Sequence, residues 1–152
     1  MSSALPDIAS DVEVAKELAD AARTVALRYF RSDALQIGNK RADEGAFDPV
    51  TVADREVETV IRSILSERRP DDGVLGEEHN DTPGTSGRTW VIDPIDGTRA
   101  FMCGLPTWGV LIALNDGTRP VVGVMGSTVY RRTLHCRFVG PSADLALPAR
   151  RP

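Results

Sequence analysis

One stretch constrains the fold more than any other: the apolar run Thr89-Trp90-Val91-Ile92 meets Asp93-Pro94-Ile95-Asp96-Gly97-Thr98 without a break. The first four residues are β-branched or aromatic and read as a buried strand. The segment from Asp93 onward cannot stay buried unaided, because an ionised carboxylate taken out of water without a partner is heavily penalised and proline removes a ladder donor. The chain is therefore predicted to turn out of the sheet here, with Asp93 and Asp96 at the strand's end. Such a turn lets both carboxylates and the Ile95 carbonyl point at one spot, and all three are hard oxygen ligands suited to Mg2+ rather than zinc. Gly97-Thr98 then offers unhindered backbone N–H groups at a predicted helix start, a cradle for a phosphate oxygen.

The elements around this motif follow from periodicity. Apolar residues from Asp7 to Phe30, among them Val12, Ala15, Ala19, Ala22, Val25 and Ala26, recur at helical spacing. Gly38 to Gly45 is polar and glycine-containing and reads as a mobile loop. A second helix opens at Thr51 and runs towards Arg68, with Val57, Val60, Ile61, Ile64 and Leu65 on its apolar side and a Thr-x-x-acid start at Thr51 and Asp54. Pro70 and Asp71-Asp72-Gly73 end it. Gly73 to Gly76 reads as a short strand leading into Glu77 and Glu78. Thr107 to Leu114 and Pro120 to Met125 read as two strands around an Asn115-Asp116-Gly117 turn. Helices first and strands afterwards predict an α+β layering rather than an alternating α/β fold.

Composition narrows the partners. With 152 residues, 41% hydrophobic and 26% charged, the chain falls in the range of a single soluble globular domain. A net charge of −4 argues against nucleic acid, since no basic excess exists to neutralise a phosphate backbone. Any phosphate-bearing ligand must be held by a local site or a metal. Cys103 and Cys136 are too few and too far apart for a disulfide framework or a zinc site, and read as reduced thiols. Met1 to Ser10 lack the basic start and apolar run of a signal peptide, and no stretch approaches the ~20 apolar residues of a membrane span. The expectation is a cytoplasmic protein with neither membrane nor nucleic-acid partners.

Glu77, at the end of the preceding strand, can supply a third carboxylate to the Asp93/Asp96 cluster. A carboxylate–metal cluster of this kind does phosphoryl chemistry: the metals neutralise ester oxygens and acidify a bound water, and a side chain orients that water. Simpler readings stand beside this one. Asp-Gly-Thr is a common turn, Asp-Pro-x-Asp-Gly can cap a helix, and Glu77 and Glu78 alone suit a solvated pair. Asp54 completes a capping box with Thr51. His79 reads as an exposed loop residue, Cys103 as a small buried hydrophobe, and Trp90 and Trp108 as core.

Three segments taken together, Asp48-Pro49-Val50-Thr51-x-x-Asp54, Gly76-Glu77-Glu78 and Trp90 to Thr98, resemble the inositol monophosphatase family in order and spacing, over about Asp7 to Met125. The resemblance implies the N-terminal half of a layered αβαβα sugar-phosphatase fold, Mg2+ dependence, inhibition by Li+ and a homodimer. It implies that Glu77, Asp93 and the Ile95 carbonyl hold a first metal, and that Asp93 and Asp96 hold a second. It further implies that Glu77 and Thr98 activate the attacking water, with Asp54 paired to Thr98, and that Glu77 and the backbone of Gly97 and Thr98 face the phosphate. Gly97-Thr98-Arg99-Ala100-Phe101 and Phe47-Asp48-Pro49-Val50-Thr51 are most similar to the histidinol-phosphate phosphatase branch. The substrate implied is a small phosphorylated metabolite. The alternatives are an inositol monophosphatase or 3′-nucleotidase-type activity, or a non-catalytic metal-binding fragment.

The likeness divides the chain into a family-like region, 1–125, and a tail, 126–152. No Trp-Asp-x-Ala-Ala-Gly-type motif, which supplies the family's remaining ligand of the second metal, is present. The codons GGA TCA ACC GTT TAC CGG CGA ACG encode Gly126 to Thr133; read one base later they begin Asp-Gln-Pro-Phe-Thr-Gly-Glu, which resembles the family's continuation. A one-base insertion at the Met125–Gly126 junction is the expectation. Strands left without neighbours, exposed apolar surface and weak turnover are expected with it.

Overall fold

The computed structural model describes residues 7–33, 35, 37–39, 49–127 and 132–137. Helix α1 (Ile8–Tyr29) starts where the Asp7 side chain accepts from the Ser10 N–H, and it buries Val12, Val14, Ala15, Leu18, Ala19, Ala22, Val25 and Ala26 along one face. The small residues on that stripe let the helix lie close to the sheet: a Cβ on Gly126 would sit 3.7 Å from that of Ala19. Helix α2 (Val52–Arg68) has Thr51 as its N-cap and a capping box closed by Asp54. It packs against α1, and both lie on the sheet.

The sheet has five strands in the order β3 (Gly73–Leu75), β4 (Thr89–Asp96), β5 (Gly109–Asn115), β6 (Pro120–Ser127) and β7 (Arg132–Arg137). Strands β3 and β4 run parallel, and every later pair is antiparallel. This is the expected α+β layering. The alternation of strand side chains decides which face is covered. Trp90, Ile92, Val110, Ile112, Leu114, Val122 and Val124 point into the core beneath α1 and α2. On the other face the register sets Leu75 beside Val91, Val91 beside Ala113, and Leu111 beside Met125. Leu75, Val91 and Met125 are 41%, 42% and 44% exposed, so the anticipated bare apolar surface is present.

Buried charges tie the layers together. Asp11, 1% exposed on α1, accepts from Arg69 after α2 and from Arg88 before β4. Asp72 accepts from the Trp90 indole at 2.9 Å and from the Ser86 hydroxyl at 2.7 Å, closing the 81–87 loop over the start of β3. Among the described residues no helix is long and apolar enough to cross a membrane.

Three sequence expectations need correction. Gly38, assigned to a loop, lies in strand β1 (Ile37–Asn39), which pairs antiparallel with β2 (Pro49–Thr51); three-residue strands are too short to show a period. Residues 40–48, which carry the rest of that loop and Phe47-Asp48, lie outside the described residues. Strand β4 does not end at Ile92 but continues to Asp96. It accommodates the proline through a register shift, since Asp93 pairs with Leu111 while Asp96 pairs with Gly109. Three steps on β4 oppose two on β5, a bulge that takes Pro94 and Ile95 out of the ladder. Finally, Cys103 is exposed rather than buried, because it caps the short helix α3 (Thr98–Met102) at the surface.

Candidate active site

The site lies where β3, β4 and the start of α2 meet. Parallel pairing sets Leu75 beside Val91, so two residues on come Glu77, just past the end of β3, and Asp93 on β4. Both line a groove of about 550 Å3 whose floor is the open sheet face. The β4 bulge then carries the chain past Asp96 to Gly97, whose φ of 85° is the left-handed conformation glycine adopts without strain. A Cβ there would also lie 3.0 Å from the Thr107 carbonyl oxygen. The turn leads into α3 and is backed by packed rings. Phe101 meets Trp108 edge to face at 4.7 Å, and Phe30 packs on both.

Thr98 joins three elements. Its hydroxyl lies 3.0 Å from the Ile95 carbonyl oxygen and 3.4 Å from Asp54 Oδ1. The other oxygen of Asp54 accepts from the Thr51 N–H at 2.8 Å and from the Thr51 hydroxyl at 2.5 Å. One buried carboxylate, 3% exposed, therefore serves both as helix cap and as neighbour of Thr98. The capping reading of Asp54 and its pairing with Thr98 are compatible, because an ionised carboxylate has about four acceptor positions.

The expected metal donors are distributed unevenly. Glu77 and Asp96 are exposed and Asp93 is half-buried. Among the described residues no three acidic, histidine or cysteine side chains converge into a ligand cluster. The donor types nevertheless fit a hard divalent cation, being carboxylates on β4 and just past the end of β3, beside a carbonyl freed from the ladder by the bulge. The Ile95 carbonyl accepts from Thr98, so it faces the site rather than a neighbouring strand.

Glu58 escaped the sequence reading. It is fully buried on α2 and accepts from the backbone N–H groups of Glu77, Glu78 and His79. A signal was available: Glu58 falls on the buried stripe Asp54, Val57, Glu58, Ile61, Leu65, where an acidic residue is out of place. His79 is exposed as expected, with its ring 3.0 Å from the Thr59 hydroxyl.

Comparison with known proteins places this geometry. A profile described as "Inositol monophosphatase family" matches residues 7–138, so its match includes β7. A histidinol-phosphatase of Chlorobaculum parvum is 49% identical over 115 residues, covering 76% of this chain and 43% of that protein. An inositol-1-monophosphatase, SuhB, of Mycobacterium tuberculosis is 40% identical over 113 residues, covering 71% of this chain and 39% of its own length. Among solved structures, the extragenic suppressor protein suhB of Bartonella henselae superposes with a TM-score of 0.76 at 31% identity, covering 82% of this chain and 48% of that one. The chain spans less than half the length of each of these three proteins.

Proposed function

The chain belongs to the inositol monophosphatase family, and on that premise we propose that it carries the front half of the active site of a Mg2+-dependent phosphomonoesterase. The observation that carries this reading is the placing of Thr98 between the Ile95 carbonyl and Asp54, one bulge beyond Asp93. A hydroxyl that donates to either acceptor keeps lone pairs with which to accept a hydrogen from a water. Thr98 thus orients the attacking water, and Glu77 takes its proton. Asp54 limits the rotation of the Thr98 hydroxyl. Glu77, Asp93, Asp96 and the Ile95 carbonyl would hold the cations, whose chemistry is to neutralise the ester oxygens and acidify the bound water. Gly97 and Thr98 present backbone to the phosphate without a side chain in the way.

The substrate is a small phosphorylated metabolite, and histidinol phosphate is the first choice. The Chlorobaculum parvum relative named for that activity shares 49% of aligned residues, against 40% for the inositol-1-monophosphatase. The full-length protein is expected to be a homodimer, and this stretch alone is expected to turn over weakly. Phosphate release with Mg2+ from histidinol phosphate and from inositol 1-phosphate tests the reading. Histidinol phosphate should be preferred by at least about tenfold in kcat/KM, about 1.4 kcal/mol of transition-state discrimination, and Glu77→Gln and Thr98→Val should each remove the release. Preference for inositol 1-phosphate would reverse the substrate assignment. A second reading is a metal-binding part without turnover of its own. It would show as a Mg2+-dependent rise in Tm without phosphate release.

A further inference from the structure

Strand β3 ends at Leu75, so the N–H groups of Glu77, Glu78 and His79 have no strand to pair with. All three point at one side chain. Glu58 Oε2 accepts from Glu77 N at 3.0 Å and Glu78 N at 2.7 Å, and Oε1 accepts from His79 N at 3.3 Å. The remaining acceptor position takes Arg62 Nε at 2.8 Å. Arg62 in turn donates to the Thr82 hydroxyl at 3.0 Å and reaches the His79 carbonyl at 3.4 Å, so the pair grips the segment at both ends. Three successive amides forming a nest for an anion are a known way to bind phosphate or carboxylate; here the anion is the protein's own and is fully buried. Gly76 makes the approach possible, since a Cβ there would lie 2.1 Å from Glu58 Oε1.

We propose that Glu58 is the positioning residue for Glu77, fixing the backbone from which that ligand extends into the groove. The role rests on the reading of Glu77 as a metal ligand. Hydrogen bonds that orient a metal's direct ligands typically carry about 10- to 100-fold in metal affinity. Glutamine in place of Glu58 keeps the size but offers one accepting oxygen and an NH2 group that faces donors, so at least two of the four bonds are lost.

The test compares the chain with Glu58→Gln, Gly76→Ala and, as a control for simple destabilisation, Val57→Ala, which shortens a buried neighbour on the same helix and leaves Glu58 and Gly76 in place. Two quantities are read below the melting transition: hydrogen exchange of the 77–79 amides without metal, and Mn2+ affinity by electron paramagnetic resonance. Glu58→Gln and Gly76→Ala should each speed exchange of those amides and weaken Mn2+ binding by at least about tenfold, while Val57→Ala changes neither. Amides that stay protected in both variants overturn the proposal. Freed amides with unchanged Mn2+ affinity overturn it too, since Glu58 would then hold the segment without placing a ligand. If the unsubstituted chain binds no Mn2+ while Glu58→Gln still frees the amides, the metal reading of Glu77 fails and takes the positioning role with it. Should Glu58→Gln not fold, Gly76→Ala, which keeps the charge and lies outside the core, decides alone.

Discussion

Asp54 is the residue where fold and chemistry are most closely joined, and its two oxygens predict two different couplings. Replacing it with alanine opens the capping box and leaves the Thr51 N–H, on a residue 1% exposed, without its acceptor. An unsatisfied buried donor costs about 1–3 kcal/mol, and the lost charge at a helix N-terminus about 0.3–1 kcal/mol more. Relief of burying the carboxylate offsets part of this, so Asp54→Ala should destabilise by about 2–3 kcal/mol. For a chain of this size that lowers Tm by roughly 5–10 °C. Double-mutant cycles by urea unfolding divide the loss. Thr51→Val breaks the 2.5 Å hydroxyl–carboxylate bond and should couple to Asp54→Ala by about 1 kcal/mol or more. Thr98→Val should couple by less than about 0.5 kcal/mol, because its hydroxyl lies 3.4 Å from Asp54 and closer to the Ile95 carbonyl. In phosphate release the order should reverse, with Thr98→Val the more damaging. Equal stability couplings for the two threonines would refute this division of labour.

Gly97→Ala places a Cβ at a φ of 85° and 3.0 Å from the Thr107 carbonyl oxygen; it should cost about 1–2 kcal/mol of backbone strain in a thermal melt and lower any phosphate release further. Asp11→Asn leaves Arg69 and Arg88 facing a neutral side chain in a buried setting, and should cost about 3 kcal/mol by urea midpoint. Tyr29 donates to Glu56 at 2.6 Å, and that bond raises its phenol above the ordinary value of 10.0. A raised pKa in the folded state means that the stabilising contribution is fully present below the ordinary value and disappears as pH climbs through the raised one. Phenolate absorbance, taken as a difference against Tyr29→Phe, should therefore appear at higher pH than for a free tyrosine, and Glu56→Gln should bring it down.

The long periodic elements were legible because their signals are local. Both helices start at acids or threonines placed to accept their own first amides, and their buried stripes repeat at helical spacing. The Trp90–Ile92 strand and the hairpin at Asn115–Gly117 were legible for the same reason. The extension of β4 through Asp93–Asp96 was not. Proline and two acids argue for leaving the sheet, yet a bulge opposite Val110 lets the strand keep its partner on both sides of the irregularity. The pairing of Ile37–Asn39 with Pro49–Thr51 was hidden by its length, and the exposure of Cys103 by the brevity of α3.

The site was legible in its letters and not in its supports. Asp54, Glu77, Asp93, Ile95, Asp96, Gly97 and Thr98 carry oxygen ligands or a tight turn in their residue types, so the sequence alone singles them out. Glu58 acts on backbone amides 19 to 21 residues away, and an amide has no letter of its own. Its trace in the sequence is indirect: an acid on a stripe that, Asp54 apart, buries apolar groups, one turn before Arg62, and a glycine at position 76 where any Cβ would strike it. A charge placed where a helix should be apolar requires partners elsewhere in the fold. At Glu58 those partners are the backbone of the segment that bears Glu77, and for that reason the part of α2 with the poorest fit to its own pattern is the part that reaches the site.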